Sequence, residues 1–539
     1  MSKVFFPFSH NPGQKKSLVL ETPLLKRNLS ILGTSGLVLG LGLTGSTQAL
    51  ATPGCDGNNT IQAVESPTEN FNRINEMVNT TDKNIVCLDG VFEIDQVIMV
   101  EAITEGQARS VTFSGIGESS SIESTDGVFH SELNIVNEPL HDITVKNLTV
   151  QNTENARAVG ANNVNIYDST FIGNAYGAVF AQGDVEIRDS IFVANQSNAI
   201  PSDDVFLQSL DGGAVFAYGS VFAAGSMFDS NATQDNGHGG AIYASGTVES
   251  QGSTFVDNRS QGIETNGGAI AAIGSVIAEN STFVGNSAEG DGYGGAIYSD
   301  ANVGSANSTF VDNWAIGEAA EGGAIFSEGG MVWFSTFVDN SAAEPGEGDI
   351  PGEAIYKGAE SFEVYGSIFV SSGSNFPQLG VGVPPGEEVL YPAFTDLGGN
   401  VFSTSESDEL DLMPGADSSS VFNATLTQLF GSEDPALGIH EPNQFGTESI
   451  ALVAGSPAIN IVPVIEDERP TTDQRGATRT GLFDAGAYEF TGSAPAAASP
   501  KALAKTGSDS AGWSIFAVTS TVIGALVLAV SGMLRRRFQ

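Results

Sequence analysis

Residues 239–258 read GGAIYASGTVESQGSTFVDN, and the line recurs as GGAIAAIGSVIAENSTFVGN at 267–286, GGAIYSDANVGSANSTFVDN at 294–313 and GGAIFSEGGMVWFSTFVDN at 322–340. A fixed period decides the architecture before any single residue does. Ala241, Val248 and Phe255 stand seven residues apart, as do Ala269, Val276 and Phe283, and then Ala296, Val303 and Phe310. From each Phe to the following Ala is 13 or 14 residues (Phe255 to Ala269, Phe283 to Ala296, Phe310 to Ala324). Each unit therefore holds three short β-prone segments closed by Gly, Ser, Asn or Asp, which are turn formers. None carries a 3.6-residue helical period over a useful length.

Three strands per turn and a period near 27 residues predict an all-β fold, a single-stranded right-handed parallel β-helix. A propeller blade needs roughly 40 residues or more, and the Leu ladder of a leucine-rich repeat is absent. Coils stacked about 4.8 Å apart bring equivalent residues into line. Phe192, Phe228, Phe255, Phe283, Phe310 and Phe337 form one expected internal ladder, and Val221, Val248, Val276 and Val303 another. Asn195, Asn231, Asn258, Asn286, Asn313 and Asn340 stack at one turn, where amides can hydrogen-bond along the axis. The Gly-Gly pairs suit a tight corner with positive φ. These positions serve stacking in every coil and are scaffold.

The pairing of GGA[IV] with FxxN resembles the polymorphic outer-membrane-protein (Pmp) repeats of chlamydial surface adhesins and many bacterial β-helix proteins. Here it stands as Gly240-Ala241-Ile242 with Phe255–Asn258, and as Gly268-Ala269-Ile270 with Phe283–Asn286. The resemblance covers roughly residues 177–356. It implies a pectate-lyase-like solenoid and fixes no activity.

The chain has 539 residues, 21 Lys and Arg against 64 Asp and Glu, and a net charge of −43. That balance excludes nucleic acid, whose phosphates demand a basic face, and docking on anionic lipid. It leaves a well-hydrated exterior, divalent-cation uptake or a basic partner. Residues 1–51 are expected to be a signal peptide. Lys15, Lys16, Lys26 and Arg27 lead an apolar run at 31–43, and Ala49-Leu50-Ala51 fits the cleavage rule.

Past that cut stand the two cysteines, Cys55 and Cys87. In an exported chain a pair on its own predicts one disulfide. Between them Phe71, Ile74, Met77 and Val78 have helical spacing within 70–80. A short helix there would cover the open first coil, whose bare strand edges invite aggregation. Residues 52–100 are thus an N-terminal cap and first coil, and 101–375 the β-helix, with irregular rungs at 111–116, 143–150 and 164–171 before a regular ladder from about Gly177. The longer third side of each unit holds the variable segments 259–266, 287–293, 314–321 and 341–352, all emerging along one edge. They are rich in Glu, Asp, Gly and Ala, and aligned loops on one face of a solenoid are a usual place for binding.

After Tyr356 the repeat decays, and residues 376–491 are expected to hold C-terminal coils and a cap. GSPAIN at 455–460, DQRG at 473–476, Arg479 and DAGAYE at 484–489 resemble the tail found after β-helix domains of "choice-of-anchor" surface proteins. There it finishes the solenoid, and Arg475 with Asp473 or Glu489 is a candidate buried ion pair. Residues 492–502 form an Ala/Ser/Pro linker. Then come Leu503, Ala504, Lys505, Thr506 and Gly507, an apolar run at 513–534 long enough to span a bilayer, and Arg535, Arg536 and Arg537. The order of pentapeptide, apolar span and basic tail resembles a sortase sorting signal of the LAXTG type, typical of actinobacteria. The resemblance implies cleavage between Thr506 and Gly507 and covalent attachment to peptidoglycan, with sortase as partner.

Parallel β-helices also host polysaccharide lyases and hydrolases, which need clustered carboxylates or a Ca²⁺ site with a base. Arg109, Lys146, Arg157, Arg188, Arg259 and Lys357 share no rung position, and the coil histidines are His130, His141 and His238. Asp203, Asp204 and Asp211, in the irregular coil 194–213, and His238 are the candidate ligand-binding residues, with a polysaccharide or a neighbouring surface as candidate ligand. Gly290–Gly295 (GDGYGG) resembles one Ca²⁺-binding nonapeptide repeat. No motif of a metalloprotease, serine hydrolase, P-loop or EF-hand is present, and no catalytic residue is assigned. The leading expectation is a wall-anchored adhesin or binding scaffold; the alternative is a surface polysaccharide lyase or hydrolase. With one apolar C-terminal helix and no run of barrel strands, an autotransporter is not expected.

Overall fold

The computed structural model describes residues 54–492 except 81–82, 103–106, 118–119, 125–126, 132–140, 199–209, 343–353, 359, 373–377, 382–393, 405–411, 415–418, 434, 436–446 and 463–469. The expected signal peptide, the linker beyond Gly492, and the sorting signal with its span 513–534 lie outside the described residues. Among the described residues no helix is long and apolar enough to cross a membrane.

One coil shows how the sequence builds the fold. Ile242–Ala244 and Val248–Gln251 lie in one sheet, Thr254–Val256 in a second and Arg259–Ser260 in a third. Each pairs in parallel with its equivalent in the next coil: Ile242 with Ile270, Val248 with Val276, Phe255 with Phe283, and Arg259 with Ser287. Among the described residues this repeats as parallel sheets of 23, 12 and 6 strands. The molecule is a stack of parallel coils, a β-helix.

Two details depart from the sequence reading. The three periodic segments occupy only two sheets. The six-stranded sheet is made of Gln196–Ser197, Ala232–Thr233, Arg259–Ser260, Ser287–Glu289, Trp314–Ile316 and Ser341–Ala342, the last four of which open the segments expected to be variable loops. Strands of two or three residues are too short to show a period of two. Regular pairing also begins well before Gly177: Val111, Ile143, Val164, Val185 and Val221 are successive partners in one row.

The interior is the expected set of ladders. The rings of Phe192, Phe228, Phe255, Phe283, Phe310 and Phe337 stack at 4.6–5.0 Å, within 7° of parallel. Coil spacing holds them face over face, and each buried ring contributes about 1.5–3 kcal/mol of transfer free energy. Asn195, Asn231, Asn258, Asn286, Asn313 and Asn340 form a chain of amides, each Nδ2 donating to the next Oδ1 at 2.8–3.0 Å. The same Nδ2 donates to a Phe carbonyl of the preceding coil, as Asn286 does to Phe255 at 3.0 Å. A serine row not foreseen from the repeat runs alongside. The backbone N–H of Ser226, Ser281 and Ser308 each donates to the hydroxyl of the next serine, at 3.1–3.3 Å.

The two glycines of each corner do different jobs. The first has φ between +64° and +68° at Gly239, Gly267, Gly294 and Gly322. The second sits so close to the next coil that a Cβ on Gly268 would lie 2.1 Å from the Gly295 carbonyl oxygen.

The first helix, Pro67–Thr80, packs on the strands Ile85–Asp89, Val91–Ile94 and Ile98–Val100. It buries Ile74 and Val78, with Phe71 and Met77 partly covered. Asn70 Nδ2 donates to the Glu93 carbonyl at 3.0 Å, and Asn79 Nδ2 to that of Met99 at 2.7 Å. Cys55 and Cys87 are joined by a disulfide, their Cα atoms 5.8 Å apart.

At the other end, Leu379–Val381, Phe394–Asp396 and Leu412–Pro414 continue the large sheet. Residues 447–462 and 470–492 lie along the flank of the twelve-stranded sheet. Gln474 Nε2 donates to the Ser281 carbonyl (3.2 Å), its Oε1 accepts from Thr309 (2.6 Å), and Ala487 N–H donates to Thr336 Oγ1 (3.0 Å). Arg475 pairs with Asp473 (2.5 Å) and donates to the Glu489 backbone carbonyl (2.7 Å). The Glu489 carboxylate instead takes the buried Arg479 (3.2 Å).

Candidate functional site

The variable segments at 259–266, 287–293 and 314–321 leave the solenoid at one corner, before the Gly-Gly turn. Their register is kept coil to coil. Asn266, Tyr293 and Glu321 are bridged in parallel, one above the next. Ile263 N–H donates to Asn236 Oδ1 at 2.6 Å, and Ala319 N–H to Asp291 Oδ1 at 3.1 Å. Thr265 Oγ1 donates to the Glu289 carbonyl at 2.6 Å. The edge is therefore a stack of fixed loops. A depression of about 800 Å³ opens among Asp235, Asn236, Gln261, Ile263, Glu289 and Ile316. Ile263 is 71% exposed at its rim, which is unusual for a residue of that size. Arg259 pairs with Glu289 beside it.

Inside the corner, on the outer face of the large sheet, stands an aromatic row. Phe180, Phe216, Tyr243, Ala271, Tyr298, Phe326 and Tyr356 are successive register partners. The rings stack at 5.3–5.7 Å, as Phe216 on Tyr243, Tyr298 on Phe326 and Phe326 on Tyr356. Tyr293 comes in from the edge loop and lies 5.0 Å from Phe326. Carboxylates line the row. Tyr298 donates to Asp300 at 2.5 Å, and Tyr356 shares a hydrogen bond with Glu321. Burial above all, then these carboxylates, push the Tyr298 and Tyr356 hydroxyls well above their usual titration range. Burial likewise raises the Glu321 carboxyl, opposed by the Tyr356 bond. The row offers hydroxyls and carboxylates to a ligand while its ring faces are occupied by one another.

Of the residues singled out from the sequence, Asp211 and His238 meet, and burial first and then the Asp211 charge raise the pKa of Tyr243 in this row. His238 N–H donates to Asp211 Oδ1 at 2.8 Å, and its ring Nδ1 accepts from Asn266 N–H at 3.2 Å. Asp203 and Asp204 lie outside the described residues. Asp291, of the glycine-rich stretch 290–295, spends one carboxylate oxygen on the Ala319 N–H. Among the described residues no three His, Cys, Asp or Glu side chains converge as a metal-binding group.

The residue that sequence reasoning missed is Arg157, which read only as one of six cations sharing no rung position. It is buried, donating to the carbonyls of Asp211 (2.8 Å), Val179 (3.1 Å) and Gly212 (3.2 Å) and to Ser197 Oγ (3.3 Å). Burial lowers its pKa to about 10 against the pull of Asp211. It ties Ser197, Asp211 and Gly212 to the coil of Val179. The signal was there: an Arg in a run of Gly, Ala and Val on a cation-poor coil.

Residues 280–300 match the family model of the Chlamydia polymorphic membrane protein repeat. No curated protein matches the chain. The matched stretch runs from Asn280 through Phe283 and Asn286 to the Gly294-Gly295 corner and Asp300. It thus contains one full edge loop and the carboxylate partner of Tyr298. The repeat match and the stacked parallel coils together support a parallel β-helix with Pmp-like repeats.

Proposed function

We propose that the chain is an exported surface protein, a right-handed β-helix that acts as an adhesin or binding scaffold through its acidic loop edge. The observation that carries the reading is the in-register edge. Loops of consecutive coils leave at one corner, tied to one another, with an exposed Ile263 and carboxylates above a row of tyrosine hydroxyls. Right-handedness follows from the rule for parallel crossovers. The helix Pro67–Thr80 serves as a lid on the first coil, and the choice-of-anchor-like tail braces the flank of the later coils rather than closing the far end. Leu503–Gly507 serves as the sorting signal, delivering the Thr506 carboxyl to peptidoglycan.

Cell fractionation tests the display half of this reading. Thr506→Ala is expected to move the protein out of the wall fraction; an unchanged wall fraction would sink the covalent anchor. Replacement of Ile263 by Asp tests the edge: attachment to the target surface is expected to fall several-fold. Attachment untouched by that change would argue against the edge.

A further inference from the structure

A trench crosses the outer face of the large sheet beside the tail, and it shares no lining residue with the edge depression. Ile277, Gly304, Met331 and Glu363 are successive partners in one register row, and Glu279 pairs with Ala306 in the row beside it. Gly304 and Ala306 put almost no side chain on their coil. The depression that results is about 910 Å³, with residues 470–472 of the tail along one side. A Cβ on Gly304 would meet nothing within 4 Å. Ile277 and Met331, on the adjoining coils, are 37% and 43% exposed. The floor is therefore a seat for one apolar side chain between two others. Glu279 and Glu363 stand at opposite ends of it, three coil steps or about 14 Å apart along the stack. Neither carboxylate has a cation partner among the described residues.

The chain carries the complement of this pattern. Between Arg479 and Arg535 its only basic residues are Lys501 and Lys505, with Leu503 midway. Alternate side chains of an extended backbone share one face, so Lys501, Leu503 and Lys505 would project together. Four extended residues cover about 13 Å, close to the separation of the two glutamates. The tether is long enough. Asn307 Nδ2 donates to the Thr472 carbonyl at the trench wall (2.9 Å), and Glu489 N–H donates to the carboxylate of Asp473, the next residue (3.0 Å). Gly492 follows three residues after Glu489, and the nine residues from there to Lys501 can span about 30 Å.

We propose that the segment 501–505 docks in this trench, with its two lysines at Glu279 and Glu363 and Leu503 over Gly304. Pro495 and Pro500 favour the extended backbone that this requires. The lysine stems add apolar cover to Ile277 and Met331 while their heads stay in water. A short tether gives an effective concentration in the millimolar range, so a contact too weak for two separate molecules is populated within one chain. Leu503 and Lys505 belong to the sorting pentapeptide. Docking therefore holds that pentapeptide against the solenoid, and a sortase has to draw it out before it can cut at Thr506. The contact goes beyond the adhesin reading and exists whether or not Thr506 is cut.

Limited trypsin digestion of the full chain in a mild detergent, followed by mass spectrometry, reads the rate of cleavage after Lys501 and Lys505. Gly304→Met fills the seat of Leu503, and Glu279→Gln with Glu363→Gln removes the two charges. Each is expected to speed this cleavage tenfold or more with the circular dichroism unchanged. Salt at about 1 M, where the screening length is about 3 Å, should speed cleavage of the unaltered chain and not that of the glutamine pair. Equal rates in all three proteins would overturn the inference. A second measurement identifies the occupant. Under mild oxidation Met331→Cys with Leu503→Cys is expected to form a disulfide within one chain. Val91→Cys with Leu503→Cys is the control and is expected to form none, since Val91 is exposed near the first coils. No disulfide in the Met331 pair, or disulfides between chains only, would overturn the assignment. Either failure leaves the edge reading intact, because attachment through Ile263 is measured separately.

Discussion

Arg479 Nη2 donates to the side-chain oxygen of Asn307 at 3.0 Å, across 172 residues of sequence. Asn307 stands at a left-handed turn (φ 48°) between the large and twelve-stranded sheets, and both residues are buried. The same guanidinium binds the Glu489 carboxylate and the Gly486 carbonyl (2.9 Å), and lies 4.4 Å over the Phe334 ring. One side chain thus joins the tail's own turns to two successive coils.

Removing it should undock the tail. Arg479→Ala leaves Glu489 buried without its partner, a change of about 3–5 kcal/mol. Limited proteolysis should then cut within 447–492 while the coils stay resistant. A protease map identical to that of the unaltered chain would contradict the assigned role.

The amide ladder makes a second test. Asn286→Ala deletes the acceptor of the Asn258 backbone and side-chain N–H groups (3.1 and 2.9 Å) and the donor to Asn313 (2.9 Å). Buried groups left unpaired cost roughly 1–3 kcal/mol each, so a loss of about 2–5 kcal/mol is expected in chemical denaturation. Asn286→Asp keeps an acceptor but buries a charge, and should be less damaging at pH 4 than at pH 7.

Two glycines predict opposite outcomes. Gly268→Ala drives a Cβ to within 2.1 Å of the Gly295 oxygen and 2.4 Å of the Ser287 nitrogen, so adjoining coils must separate. It should lower the melting temperature sharply. Gly304→Ala enters open space and should be neutral or stabilise by about 0.4–1 kcal/mol through the unfolded chain. Equal effects from the two would contradict the corner geometry.

The buried carboxyls set a pH trend. Burial, as the main cause, raises the carboxyls of Asp484, Glu489 and Glu448. Desolvation and then the neighbouring Asp229 push Asp257 up to about 6. A carboxyl that titrates higher in the folded than in the unfolded chain favours the fold as pH falls through its folded pKa. The gain is complete below the unfolded value and lost again on raising the pH. Relief of the −43 net charge acts in the same direction. The melting temperature should rise from pH 7.5 to pH 5, and rise less in Asp257→Asn. A steady fall over that range would contradict these assignments.

The sequence showed what repeats and hid what does not. Phe255, Val248 and Asn258 are visible as ladder residues because every coil needs them at the same place, and stacking at one spacing is a strict demand. The six-stranded sheet stayed hidden because Arg259–Ser260 is too short for any pattern. The flank docking of the tail stayed hidden for another reason. Gln474 and Thr309 are 165 residues apart, and polar contacts at that range leave no local trace. The motif DQRG marked the right residues, but the Arg that reaches the solenoid is Arg479, three residues beyond it. At the candidate site, the loop edge was legible as aligned variation. The tyrosine–carboxylate row was not, since Ala271 interrupts its only periodic signal.

Size-exclusion chromatography of the full chain with a panel of plant, algal and microbial polysaccharides, with and without Ca²⁺, tests the binding-scaffold claim most directly. Co-elution with a polymer of unchanged length is the predicted result, reduced by the Ile263→Asp change at the edge. Shortened polymer would contradict the scaffold reading and make the chain a polysaccharide-degrading enzyme.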